Sequence, residues 1–460
     1  MTTQSPPVVS LQAPKDISLS DIEAELNQIW ESYRENTANG DSPAAARATT
    51  FTFVVYEPEE TQHLLAALGF YTGPIDGIAG PRMNSGLKDA QKAYGLPRTG
   101  KADAETLARL REDLAHRRSS GAIKDAQRNG ETQATLNVTG YGVADAIAAS
   151  NPCRIIALCP HSGIDEGVTV QVSVYCPMNK QSNNTLLCCE YITLSGTADA
   201  LERIGGIVTA LLIGDLPKFL WWKATPDPHN ALFKRLASVS NSVIVDSCQF
   251  GEPETDLLRV HTLAEQGIQL TDLNWRRLAA WQELTAEAFD PPERRAALTE
   301  VDKVTINYEK GNPDQALMFL GWLASRLQWH PVSYKREGGD YDLRYCSFVT
   351  ADQRPIEAEL AGIPTADWGE IPGDLIALRM SSTNLDADCC TVLCSETSGC
   401  MRMEAGGGAQ ACRFEQVAPL TDQKAETLLG QQLRRWGRDM LYEESLSVTA
   451  EILKMSKANG

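Results

Sequence analysis

The chain has 460 residues, 43% of them hydrophobic and 22% charged, which is enough apolar side chain for several packed domains. The formal net charge of −18 argues against nucleic acid or an anionic membrane as a partner, because both need a basic face. The opening MTTQSPPVVSLQAPKDISLS has neither a basic start nor an apolar run, and no stretch of about 18 apolar residues follows, so a cytoplasmic protein is expected.

Residues 1–19 read as a disordered arm. Ser20 opens a helix with Glu23 three residues on, a capping box, and Ile22, Leu26, Ile29, Trp30 and Tyr33 share one face. Thr49–Tyr56 is β-branched and aromatic, which predicts a strand. Between 60 and 118 three short helical stretches are separated by Gly/Pro turns, with Leu64, Leu65, Leu68, Leu87, Ala90, Leu96, Leu107 and Leu110 as a small core. The loop Gly73-Pro74-Ile75-Asp76-Gly77 with Gly80, then Gln91, then the turn Gly100 to Asp103, resembles the peptidoglycan-binding-like three-helix module over about 55 residues. That resemblance implies a compact helical fold, and without an export signal it favours protein contacts over cell-wall binding.

After a polar connector at 119–135, a helix is expected around Gly142–Ser150 and strands at Arg154–Leu158, Val168–Tyr175 and Leu186–Leu194. The stretch from Gly205 to Asp246 organises the rest. An apolar helical run (Ile207, Val208, Leu211, Leu212, Ile213) precedes a strand at Phe219–Trp222, and a Pro-rich turn and a polar helix lead to a strand at Val243–Asp246. Helix, strand, helix, strand at this spacing predicts a parallel α/β core. Leu270 to Trp275 caps a helix with Trp275, Leu278, Trp281 and Leu284 on one side. A strand at Val301–Tyr308, a buried helix at Asp314–Leu327 and an antiparallel-looking set of strands between 331 and 417 follow. A last helix is expected at about 422–443, aligning Leu429, Leu433, Trp436 and Met440, after which the chain fades.

The expected fold is mixed α/β and α+β. Residues 20–56 plus 130–265 form an α/β core domain, 57–120 an inserted three-helix module, and 266–460 a C-terminal α+β domain with an antiparallel sheet.

No phosphate loop, GxGxxG, GxSxG or HExxH string occurs, and no nucleophile, base and orienter set stands out. No CxxC pair occurs among the twelve cysteines and the six histidines are scattered, so neither metal nor cofactor is expected. Two tryptophan-rich strings remain: Trp221-Trp222 beside Pro226 and Pro228, and Asn274-Trp275-Arg276-Arg277. Aromatic and arginine clusters anchor protein interfaces, which makes these six residues candidates for a partner surface. The alternative is that the tryptophans pack in the core. Cys394 and Cys400 flank a five-residue polar turn. If their flanks form a hairpin, the sulfurs reach disulfide distance, and an exposed pair would be reducible and hence regulatory. Adjacent Cys188 and Cys189 point to opposite strand faces and suit pairing with each other less. The alternative is that all twelve are ordinary buried thiols.

Five strings are similar, in order, to one family: NPCRII (151–156), GDLPKFLWW (214–222), VDSCQF (245–250), LTDLNWRRLAAWQELTAEAFD (270–290) and FLGWLASRL (319–327). They resemble the bacterial glucose-6-phosphate dehydrogenase assembly family, the OpcA proteins, over about 20–56 and 130–455, and an inserted module marks its cyanobacterial branch. Cys248 stands where other members carry an arginine. The resemblance implies a non-enzymatic protein that binds the glucose-6-phosphate dehydrogenase oligomer and favours its active form. It also suggests thioredoxin as a second partner, acting on a Cys394–Cys400 disulfide whose oxidised form favours activation. Two alternatives remain at this stage: a sugar-phosphate enzyme using Arg276 and Arg277, and a cell-wall protein using residues 60–118.

Overall fold

A computed structural model describes residues 8–38, 44–47, 49–71, 81–119, 152–161, 163–177, 185–290, 292, 295, 298–364, 371, 373–383, 388–395, 400–407, 414–419, 425–435 and 437–458. The chain divides into two compact units. One holds the residues up to Val245 with Gly267–Leu270 and Ala425–Gly437, and the other holds Asp246–Gln266, Thr271–Lys424 and Arg438–Gly460.

The first unit is built on strands β1 (Val8–Ile17), β2 (Ala44–Arg47), β3 (Thr52–Tyr56), β4 (Arg154–Pro160), β5 (Thr169–Pro177), β6 (Thr185–Gly196), β7 (Lys218–Trp222) and β8 (Ser242–Val245). β6, β4, β3, β7 and β8 lie side by side in that order and all run parallel. Every residue of β3 and of β8 is buried, as expected of strands covered on both faces. β5 and then β1 extend the sheet antiparallel beyond β6, and at the other edge Val243 N–H donates to Gln269 O, just before β9 (Leu270–Asp272). Residues 8–17 are therefore an edge strand, not the disordered arm expected.

The helix Ile22–Ala38 is held by a charge network centred on buried Arg154 and Glu190. Arg154 Nε donates to Glu190 Oε2 at 2.8 Å, its Nη1 to Glu23 Oε1 at 2.5 Å, and Trp30 Nε1 donates to Glu190 Oε1 at 2.8 Å. A buried arginine is tolerated only when it is paired and hydrogen-bonded in this way.

The inserted module begins four residues after β3, with helices at Glu60–Ala67, Pro81–Ala93 and Ala104–Ser119. Leu64, Leu65, Leu68, Leu87, Ala90 and Leu110 form its core together with Tyr71, Met83 and Leu114, while Leu107 packs at the margin. Gln91 is wholly buried: its Oε1 accepts from Gly100 N–H at 2.9 Å and its Nε2 reaches Thr99 Oγ1 at 2.9 Å and Lys101 O at 3.0 Å. Gly100 has φ +66°, which a side chain would resist. The loop at 72–80 and the expected helix near 142–150 lie outside the described residues.

The second unit carries β10 (Lys303–Glu309), β11 (His330–Gly338), β12 (Leu343–Val349), β13 (Pro355–Ile363), β14 (Leu375–Ser381), β15 (Asp388–Ser395), β16 (Cys400–Gly407) and β17 (Phe414–Pro419). The sheet order is β11-β12-β13-β10-β14-β15-β16-β17, antiparallel throughout except for the parallel pair β10–β13. In the helix Asp314–Leu327 every residue from Asp314 to Ala324 is buried. It meets the helix Met440–Ala458 at Gly321, where an added Cβ would collide with Thr449 Oγ1 and Ser445 O. Ser445 Oγ donates to Met318 O at 2.6 Å and Thr449 Oγ1 to Leu317 O at 3.2 Å, so both hydroxyls serve the same crossing.

The single helix expected at 422–443 is two, Ala425–Gln432 and Met440–Ala458, and the second runs through the stretch expected to fade. Tyr442, Leu446, Ala450 and Leu453 recur at helical spacing and are buried, whereas Met440 is 56% exposed. Trp436 lies outside the described residues. Among the described residues no helix is long and apolar enough to cross a membrane.

Candidate functional site

Polar side chains gather in the first unit where the parallel sheet changes direction, at the carboxyl ends of β3 and β7. Counted along the chain, the five parallel strands take the spatial order third, second, first, fourth, fifth. In open α/β sheets that reversal point is where ligands bind. Glu57 and Lys223 leave the two neighbouring strands side by side, and Lys223 Nζ sits 2.5 Å from Glu57 Oε2. The same ammonium lies 4.9 Å from the ring centroid of Trp221. Burial pushes the Cys159 thiol at the end of β4 up to about 12; the Glu57 charge adds to that and Lys223 opposes it. A thiol so disfavoured as thiolate is a poor nucleophile. Glu59 caps the helix at Glu60–Ala67, its Oε2 accepting from Gln62 N–H at 2.6 Å.

The tryptophan pair belongs to the core beneath this edge. Trp222 stacks on Tyr56 at 3.8 Å and 10°, and meets Phe233 edge-on at 5.0 Å. Trp221 stacks on Phe53 at 6.4 Å. Both indoles are buried, which corrects the expectation that Trp221 and Trp222 face a partner: at adjacent strand positions they fill opposite faces of a sheet covered on both sides.

The second tryptophan string is also internal, within the second unit. Asp272 Oδ1 accepts from Ser247 N–H at 3.0 Å and Asn274 N–H at 2.9 Å. Asn274, fully buried, donates to Ser247 Oγ at 3.1 Å and accepts from Gln315 Nε2 at 2.9 Å. Arg277 forms a two-pronged ion pair with Asp246 at 2.6 and 2.9 Å. Trp275 is buried against Tyr442, and its Nε1 donates to Asp439 Oδ2 at 3.3 Å; Arg276, half-buried, reaches the same oxygen at 3.4 Å. Asn274 and Arg277 therefore hold the loop after β8, and Trp275 packs against the helix Met440–Ala458, instead of forming the exposed contacts expected of them; Arg276 alone of the six is not fully buried, its side chain being 20% exposed. Burial, then the neighbouring Asp246 charge, raises Asp272 to about 6. Asp314, buried close by, is pushed well above the usual carboxylate range, by burial first and the Asp272 charge second. Among the described residues no group of three or more His, Cys, Asp or Glu is placed to hold a metal ion.

The thiols at the expected switch sit on the hairpin of β15 and β16, where the backbone register pairs Cys394 with Met401 and Cys400 with Ser395; their side chains lie outside the described residues. The disulfide among the described residues is Cys176–Cys188, joining β5 to β6 with Cα atoms 4.1 Å apart. Cys189 points the other way and its Sγ accepts from Cys153 N–H at 3.3 Å, as alternation along a strand requires. The pairing continues the β5–β6 register, in which Tyr175 lies opposite Cys189.

Comparison with known proteins adds what the geometry leaves open. Residues 144–262 match a family model described as the glucose-6-phosphate dehydrogenase subunit N-terminal domain, and residues 268–446 the C-terminal domain of the same subunit. Residues 57–110 match a peptidoglycan binding domain model. The chain is 65% identical over 458 residues to the OxPP cycle protein OpcA of Nostoc punctiforme, covering 99% of this chain and 97% of that one. It is 56% identical over 459 residues to the protein of that name in Synechocystis (99% and 96% covered) and 50% identical over 454 residues to that of Synechococcus elongatus (99% of both).

Proposed function

Since the chain belongs to the OpcA family of glucose-6-phosphate dehydrogenase assembly proteins, we propose that it is a cytoplasmic, non-catalytic activator that binds the glucose-6-phosphate dehydrogenase oligomer and favours its active form. The observation that carries this reading is full-length similarity to OpcA proteins of the oxidative pentose phosphate cycle, across both subunit domains. The geometry is compatible with it: the polar clusters at the strand ends and around Asn274 are engaged with one another in ion pairs and caps. An activator of this kind works by differential affinity, shifting the enzyme only as far as it prefers the active oligomer.

Redox tuning belongs to the same reading. Cys394 and Cys400 flank the β15–β16 connection one residue out of register, so a disulfide between them requires the ladder to open at Ser395–Cys400, and its reduction by thioredoxin would weaken activation.

The test is the initial rate of the cognate dehydrogenase at low glucose 6-phosphate, with and without the chain, oxidised and then thioredoxin-reduced. Activation that falls on reduction, and that becomes indifferent to reduction in a Cys394→Ser/Cys400→Ser variant, is expected. A rate unchanged by the chain in either state would overturn the activator; a double variant that still responds to thioredoxin would overturn the switch.

A further inference from the structure

We infer that the parallel sheet of the first unit, although its strands follow the order of a dinucleotide-binding domain, takes no dinucleotide, because the chain's own carboxylates stand where the phosphates would lie.

A dinucleotide on such a sheet crosses the carboxyl ends of the strands at the point of reversal. Its pyrophosphate meets the turn after the first strand of the set and the amides opening the next helix. Glycines let the backbone approach, and a carboxylate further on takes the ribose hydroxyls. The first strand here is β3, and the turn after it reads Glu57-Pro58-Glu59-Glu60.

Several features a phosphate would use are missing or already engaged. Proline has no N–H to offer at position 58. Gln62 N–H, one of the amides opening the helix, is held by Glu59 Oε2 at 2.6 Å, and Glu59 is 1% exposed. Lys223, the cation at the end of the facing strand, is paired with Glu57 at 2.5 Å. Glu60 is bound to Arg111 by two bonds of 2.7 and 2.8 Å. The second strand of the set, β4, is followed by His161 in place of an acidic residue. Glu57 and Glu60 already hold the nearby cations Lys223 and Arg111, and Glu59 adds a negative charge at the helix end, so a pyrophosphate would meet repulsion there with no free cation in these pairs to offset it. The internal carboxylates satisfy the helix end and the lysine as a bound phosphate would, so the unit is complete without a nucleotide.

The consequence is that any response of the assembled complex to nicotinamide nucleotides enters through the dehydrogenase and not through this chain. The inference rests on strand order and side-chain contacts, and stands whether or not the activator reading does.

Isothermal titration of the full chain with NADP+, NADPH and NAD+ up to about 1 mM, roughly 4 kcal/mol of binding, tests it. No saturable heat is expected, and saturable one-to-one binding by any of the three would overturn the inference. A second titration uses inorganic pyrophosphate and the variant Glu57→Gln/Glu59→Ser, in which serine still caps the helix while two charges are lost. The variant should bind pyrophosphate about tenfold more tightly than the parent at low salt, and the gain should shrink as salt is added. Equal affinity in a folded variant would remove the carboxylates as the cause. Glu59→Ser alone serves if the double change does not fold.

Discussion

Arg277 and Asp246 face each other through two parallel N–H···O bonds of 2.6 and 2.9 Å, both side chains being at least nine-tenths buried. This pair fixes the loop after β8 to the helix Leu273–Arg277. Removing the guanidinium strands a buried carboxylate, so Arg277→Met should cost about 3–5 kcal/mol in denaturant unfolding. Adding Asp246→Asn to that variant should recover a good part of the loss. A single variant within about 1 kcal/mol of the parent would mean that the pair is solvated in solution.

Asp272 offers a pH signature. An ordinary aspartate titrates near 4, whereas Asp272 is held at about 6 by burial first and the Asp246 charge second. Its folded-state value is raised, so the stability it contributes is full below about pH 4 and is lost as pH rises through about 6. Asp272→Asn keeps the acceptor for Ser247 and Asn274 but cannot ionise. Relative to the parent, the variant should therefore gain about 2–3 kcal/mol between pH 4 and pH 7. A stability difference that stays flat over that range would refute the assignment.

Two glycines should respond in opposite senses. Gly321→Val drives a branched side chain into Thr449 and Ser445 and should lose about 3 kcal/mol or more, because the obstacle includes backbone. Gly430, in the helix Ala425–Gln432, has nothing within 4 Å of an added Cβ. Gly430→Ala should stabilise by about 0.5–1 kcal/mol through helix propensity. Thermal melts of the two variants side by side decide this, and a tolerated valine at 321 would mean that the helices do not cross closely.

The Cys176–Cys188 bond closes a loop of sequence separation 12 in the first unit. Its loss should cost that unit about 2–4 kcal/mol. In Cys176→Ser/Cys188→Ser the melting of the first unit should no longer respond to dithiothreitol, while in the parent that unit should melt lower when reduced. Two alkylatable thiols at these positions in the unreduced, denatured parent would show that no bond forms.

Much of this architecture was visible in local patterns. The runs TFVVY and SVIV are short and rich in β-branched residues, and they became buried parallel strands. The first strand, VVSLQAPKDI, escaped because Pro14 and irregular alternation argue against a strand. At an edge, proline needs no partner, and the register shifts between Ser10 and Lys15 absorb the irregularity. The tryptophan strings misled for another reason: aromatic and arginine clusters mark cores and interfaces alike, and only the neighbours, Tyr56 for Trp222 and Asp246 for Arg277, decide between them. The strand order was hidden by the long insertion between two strands that lie side by side, and the disulfide because it depends on register, which composition does not reveal.

That insertion also sets an order of events as the chain folds. Thr50 Oγ1 donates to Pro152 O across 102 residues of sequence, so β3 can find β4 only after a very large loop has closed. The helices of the module meet one another over short separations, and such local contacts form fast, whereas distant pairings wait. The newly made chain should therefore carry a finished three-helix body while the sheet around it is still open. Closing that sheet is the slow step, and until then β3 is an unpaired apolar strand exposed to aggregation.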